Sequence, residues 1–187
     1  MKALIHELIP HAPQMGLYVE PNIPEDKLRN ALHDYAPSMG PDEVVALFDA
    51  TVMGRARDGA VFAMDRFIFQ NNDLEPSHEV RYRDIVGVEK QRGFLKGAKV
   101  LLEVNRGRAT FELKFDASFR PEALDFLHRF LHEAMLAPVE PTPDVSTGTR
   151  TAAGSDLRAV QQALDTLRAQ GHLADADYQR LLDVLGE

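Results

Sequence analysis

The sequence predicts an α+β protein that is mainly β. Its expected body is a seven-stranded, bent antiparallel sheet or barrel plugged by a C-terminal amphipathic helix, with one or two short helices before it and a linker and small helical hairpin after it. Three observations carry that expectation. Apolar residues recur with a period of two in short runs between about residues 47 and 115, separated by turn dipeptides. Ser118 to Met135 then switches to a helical period. From residue 137 the composition turns abruptly to Pro, Thr, Gly and Ser.

Residues 1–24 hold Pro10, Pro13, Pro21 and Pro24, so an irregular segment is expected there, with Leu4, Ile5, Leu8 and Ile9 able to form one or two helical turns against the body. Glu25 to Tyr35 reads as a helix with Leu28, Ala31, Leu32 and Tyr35 on one face, and Ala36-Pro37 stops it. Pro41, Asp42 and Glu43 suit the first turn of another short helix, where carboxylates meet the positive helix end. Strands are expected at 47–53, 60–64, 67–71, 78–82, 85–90, 99–104 and 109–115. In the last, Phe111, Leu113 and Phe115 alternate with Thr110, Glu112 and Lys114, which predicts one buried and one wet face. Asp58-Gly59, Met64-Asp65-Arg66 and Arg106-Gly107 mark hairpins. The Ser118 to Met135 helix carries a stripe of Ala123, Leu124, Leu127, Phe130, Leu131, Ala134 and Met135. Such a face needs a surface, so Leu124, Leu127, Phe130 and Leu131 are expected to plug the sheet.

Residues 137–155 offer almost nothing to bury and read as a flexible linker. Residues 156–187 read as a helical hairpin. Leu157, Val160, Leu164 and Leu167 recur at three and four, Gly171 and Leu173 follow at the turn, Asp175 can cap the second helix, and Tyr178, Leu181, Leu182 and Leu185 form its stripe. About thirty residues bury little by themselves. Both stripes are therefore expected to meet a second copy or another surface.

Two resemblances follow from these residues. The segment from about Asp42 to Met135 resembles a pleckstrin-homology-like domain of the bacterial type. The likeness rests on the strand count, on the corner Val80-Arg81-Tyr82-Arg83-Asp84-Ile85-Val86-Gly87-Val88, and on Asp49-Ala50-Thr51-Val52-Met53-Gly54 followed by Asp58-Gly59. It implies a bent sheet plugged by the helix, in a fold that hosts lipid, peptide and protein binding alike. The pattern Leu164, Leu167, Gly171, Leu173, Tyr178, Leu185 is similar to the C-terminal helical module called SHOCT. Leu181 and Leu182 depart from it, standing where lysine is frequent.

Composition narrows the function. With 44% apolar and 7% aromatic residues a folded core is expected, and the absence of cysteine excludes disulfides, thiolate metal sites and a cysteine nucleophile. A net charge of -8 argues against polyanion binding as the main task, and residues 26–136, with 16 basic and 18 acidic groups, are no exception. The N-terminus is too short and polar for a signal peptide, and no apolar run approaches the ~20 residues of a membrane span, so a cytoplasmic location is expected.

Candidate site residues come from basic turns. In a pleckstrin-homology-like topology Arg55 and Arg57 would share a rim with Arg106 and Arg108, where four guanidinium groups could hold a phosphate or an acidic peptide. The acidic loop Asn72 to Pro76 would lie on the same rim. A second basic set, Lys90, Arg92, Lys96 and Lys99, surrounds Phe94 and Leu95. This fits a loop that dips into a membrane or contacts a peptide, or a lid folded back on the sheet edge. His128 and His132 have a metal-binding spacing, but Arg129 stands where a metalloprotease motif needs Glu, so they are read as surface residues, as are His6 and His11. No nucleophile elbow or phosphate-cradling loop occurs. The expected protein is a non-enzymatic adaptor with no catalytic residue, cofactor or metal. Its body would bind a protein or peptide and its hairpin would form a homo-oligomer. An anionic lipid surface is the alternative ligand, and nucleic acid is disfavoured.

Overall fold

The computed structural model describes residues 1–93 and 97–137. All lie in Met1–Val139, the first of two units into which the chain divides. The expected linker beyond Ala137 and the expected hairpin, with all nine of its stripe residues from Leu157 to Leu185, lie outside the described residues, as do Phe94, Leu95 and Lys96.

Among the described residues the fold is α+β with mostly β content: eight strands in two antiparallel sheets and three α-helices. In chain order these are α1 Lys2–Leu8, β1 Leu17–Val19, α2 Glu25–Asp34, β2 Ala46–Asp49, β3 Gly59–Phe62, β4 Arg66–Gln70, β5 His78–Arg81, β6 Ile85–Gly93, β7 Gly97–Arg106, β8 Ala109–Asp116 and α3 Leu124–Leu136. One sheet runs β1-β2-β3-β4-β5 and the other β6-β7-β8, and among the described residues they do not close into a barrel. The chain passes between them through a 3-10 turn at Tyr82–Asp84, where the Tyr82 hydroxyl donates to Ala63 O at 3.0 Å.

Each of the seven expected strands is present, with shifted ends, but an eighth precedes them. The segment expected to be irregular apart from one or two helical turns has those turns as α1, and adds a 3-10 turn at Pro13–Met15 and β1, which pairs with β2 in the register Leu17↔Phe48 to Val19↔Ala46. Three residues are too few to show a period, so β1 is stabilised by pairing and burial rather than announced by pattern.

The five-stranded sheet is buried on both faces. Leu17, Val19, Ala46, Phe48, Ala60, Phe62, Phe67, Phe69 and Val80 face the main core, while Tyr18, Leu47, Val61 and Ile68 face the other way. That second face is covered by α2 through Ala31, with Leu28 and Leu32 beside it and Tyr35 following. On the main-core side α3 lies across β6 and β7, and α1 packs on α3. The α3 face expected to be covered is covered: Leu124, Leu127, Phe130 and Leu131 are fully buried. Phe130 meets Phe62 and Tyr82 edge-on, with ring centroids 5.5 and 5.6 Å away.

Three expectations need correction. The strand expected to reach Met53 stops at Asp49, because the Asp49 carboxylate accepts the Thr51 N–H at 3.0 Å and turns the chain. The helix expected from Ser118 begins at Leu124. Asp116 Oδ1 accepts the Ser118 N–H at 2.7 Å, and Pro121 disfavours helical backbone at Arg120. On β8 only Phe115 is buried. Phe111 is 50% exposed, although its cross-strand neighbour Val104 is buried.

Candidate functional site

Where β2 ends, the chain meets α2, and a buried ion pair fixes the contact. Asp49 is 1% exposed, and its Oδ2 lies 2.7 Å from Lys27 Nζ. Its Oδ1 accepts from Thr51 N at 3.0 Å and Thr51 Oγ1 at 2.5 Å. Lys27 also donates to Gly54 O and sits 5.2 Å from the centroid of the Tyr18 ring. Burial alone would lower the Lys27 pKa, but the Asp49 hydrogen bond and charge outweigh it and hold the ammonium above its ordinary value. Thr51 Oγ1 accepts the Arg55 N–H at 2.8 Å, and Asn30 donates to Arg55 O at 2.9 Å. The 50–58 loop is thereby tied to α2 along its length.

Two further segments complete a cleft. Asn72 Oδ1 accepts the Leu74 N–H at 3.0 Å, and Gln70 donates to Asn72 O at 2.9 Å, which shapes the β4–β5 loop. After β8, Arg120 Nη2 donates to Thr51 O at 3.4 Å and leaves Phe119 pointing outward. The resulting cleft, of ≈ 250 Å³, is lined by Thr51, Val52, Met53, Arg55, Arg57, Asp58, Asn71, Asn72, Asp73 and Phe119, with Ala50 at its base. Its chemistry is mixed. Val52, Met53 and Phe119 are 67%, 75% and 69% exposed, an apolar wall at the surface. Asp58 Oδ1 is buried without a hydrogen-bond partner. Burial raises the Asp58 pKa above the ordinary carboxylate range, and the neighbouring Asp73 carboxyl reinforces the shift, as do the charges of Asp34 and Asp49.

The four rim arginines do not converge. Arg55 and Arg57 line the cleft, with Arg57 Nε 3.6 Å from Asp34 Oδ2. Arg106 and Arg108 sit at the β7–β8 turn, the start of β8, whereas the cleft residue Asn71 bonds Lys114 O and Asp116 N at its end. The turn and that end are separated by roughly 20 Å of strand. Arg106 instead donates to Glu79 O at 3.0 Å.

The three described members of the second basic set are carried on strands. Lys90 and Arg92 belong to β6 and Lys99 to β7. Lys90 Nζ pairs with Asp125 of α3 at 2.7 Å, with Arg92 at 4.0 Å from the same carboxylate, while Lys99 pairs with Asp116 across the sheet at 3.4 Å. The hydrogen bond from Lys90 holds the Asp125 carboxyl below its usual range. Lys99 is on the opposite face, since its neighbours Ala98 and Val100 are buried and it is not. His128 and His132 stack at 6.2 Å on α3, and burial, then Lys90 and His132, lowers the His128 pKa. His6 contacts Glu20 at 3.2 Å, and His11 Nδ1 accepts the Val19 N–H at 3.4 Å. Among the described residues no three His, Asp or Glu side chains are grouped to hold a metal. No helix of them is long and apolar enough to cross a membrane.

The acidic loop holding Asp73 was expected beside Arg55 and Arg57 and is there, but the Asp58 carboxyl and the apolar wall were not marked by sequence. The cleft residues come from three separate segments, and Val52 and Met53 read as the continuation of a strand. The chain matches no protein-family model, no curated protein and no solved structure.

Proposed function

We propose that this chain is a non-enzymatic interaction protein whose pleckstrin-homology-like body, β2 to β8 with α3, takes a protein or peptide segment in the cleft between the 50–58 and 71–73 loops. In this reading the SHOCT-like residues 156–187 mediate self-association or docking, and the protein works in the cytoplasm without a cofactor. The observation that carries the reading is the cleft itself. An apolar wall of Val52, Met53 and Phe119 stands beside the Arg55 and Arg57 guanidinium groups and the exposed Asp73 carboxylate. A peptide supplies apolar side chains together with N–H donors and carbonyl acceptors, so it matches all of these at once. A tether beyond the body would add effective concentration to weak contacts.

The test is affinity capture with quantitative mass spectrometry, comparing the full chain with a Met53→Asp, Phe119→Ser variant. A partner retained by the first and lost by the second is the expected result. An identical set of captured proteins removes the cleft from the reading. Deleting 151–187 should lower the mass seen by light scattering, and an unchanged mass removes self-association through the hairpin.

A further inference from the structure

Among the described residues, β8 is an edge strand of its sheet. Among the described residues β8 is hydrogen-bonded to β7 on one side only, with Val104↔Phe111 and Leu102↔Leu113 in register. On the other side Asn71 acts as a short substitute for a strand. Its Nδ2 donates to Lys114 O at 2.7 Å, and its Oδ1 accepts from Asp116 N at 2.9 Å. Residues two apart along a strand direct their backbone groups to the same side. If Lys114 and Asp116 face outward, then Thr110 and Glu112 do too, and Asn71 does not reach them. Ala109 to Glu112 are exposed and Leu113 half-buried. Among the described residues this leaves a short edge with unmet backbone donors and acceptors, the kind of edge that proteins usually cover or blunt.

We propose that this edge pairs antiparallel with the β8 edge of a second copy, about a two-fold axis at Thr110. The register follows from what is blocked and what is charged. Centring on Glu112 would place two carboxylates opposite each other and would need the Lys114 carbonyl that Asn71 already occupies. Centring on Phe111 would set Lys114 opposite Arg108, a like-charge pair. Centring on Thr110 sets Thr110 against Thr110, a β-branched pair, and Glu112 opposite Arg108 twice. On the other face the half-exposed Phe111 lies opposite Ala109 of the second copy and gains cover. An isologous contact of this kind closes on itself as a dimer. Gly107, at φ 71°, gives the tight turn that keeps Arg108 next to the strand end.

The chain has no cysteine, so single cysteines report the contact without background. In the full-length protein, Thr110→Cys should cross-link to a covalent dimer on mild oxidation, since directly opposed residues have Cα atoms about 5.5 Å apart, within disulfide reach. Lys114→Cys, exposed on the same face, is the control, because the proposed register places its two copies roughly 27 Å apart. Adding Glu112→Arg to Thr110→Cys should slow cross-linking by about tenfold through two reversed charge pairs, and adding Arg108→Glu as well should restore it. Cross-linking of Thr110→Cys no faster than Lys114→Cys overturns the proposal. So does a rate that Glu112→Arg leaves unchanged, or that the double reversal fails to restore.

Discussion

Replacing Lys27 with Met tests whether the cleft loop is held by one buried ion pair. Lys27 lies on α2, and its side chain is 13% exposed, while its partner Asp49 is buried at 1%. Breaking a buried pair from one side leaves an uncompensated charge, which costs ~3 to 5 kcal/mol. Two features reduce the cost here. Asp49 keeps both hydrogen bonds from Thr51, and Met keeps most of the length of the Lys27 alkyl stem. Against these, Gly54 O also loses its donor. The expected loss is ~2 to 4 kcal/mol, which lowers the urea midpoint by roughly 1 to 2 M. The pair's contribution also has a defined pH dependence. The folded Lys27 pKa is raised, so the stabilisation is fully present below the unfolded value of about 10.4 and is lost as pH rises through the folded value. The gap between wild type and Lys27→Met should be flat from neutral to mildly alkaline pH and should narrow above about pH 10. Urea titrations at several pH values measure it. A loss below ~0.5 kcal/mol, the size of a surface pair, would refute the argument, as would a gap that narrows toward neutral pH.

Other expectations are simpler. Phe130→Ala empties the site between Phe62 and Tyr82 under a fully buried ring and should cost ~3 to 5 kcal/mol in equilibrium unfolding; a negligible loss would mean α3 does not plug the sheet. Gly59 has φ 137°, and a Cβ there would lie 1.9 Å from Phe48 O, so Gly59→Ala should destabilise the β2–β3 pairing by at least ~2 kcal/mol, read from the thermal midpoint. The raised Asp58 pKa means that this carboxyl favours the fold when protonated, and that contribution fades as pH rises through its folded pKa. Asp58→Asn should therefore raise the melting temperature at pH 7 and leave it nearly unchanged near pH 3; the opposite ordering would contradict the shift.

Sequence revealed the parts whose pattern is local. The seven strands and the stripe of α3 repeat at their own periods within single segments. The period of two read across the first sheet missed its apolar residues at both parities, as in Leu47-Phe48, Val61-Phe62 and Phe67-Ile68-Phe69; that sheet is buried on both faces, and α2 supplies the second cover. What escaped was assembled by tertiary contact. β1 is three residues long and exists because β2 offers it an edge. The Lys27–Asp49 pair joins a helix to a strand end, with no spacing rule to announce it. The arginines failed for the same reason in reverse: Arg55 and Arg106 look alike as turn residues, but the turns that carry them lie at different ends of the body.

In the proposed reading, the charge of the cleft favours a peptide over an anionic surface. Arg55 and Arg57 would attract a phosphate or an anionic lipid headgroup. Yet Arg57 already lies by Asp34, and Asp58 and Asp73 line the same cleft. An anion entering there gains at most two guanidinium groups and meets carboxylates it cannot satisfy, while a peptide can turn an N–H toward the exposed Asp73 carboxylate and a carbonyl toward Arg55. Removing the carboxylate charges should therefore change the ligand class. The Asp58→Asn, Asp73→Asn variant should sediment with vesicles containing phosphatidylserine at low salt and release them as salt rises, and wild type should not. Wild-type protein that binds those vesicles as well as the variant does would show that the carboxylates do not govern the cleft, and would favour the lipid surface over the peptide.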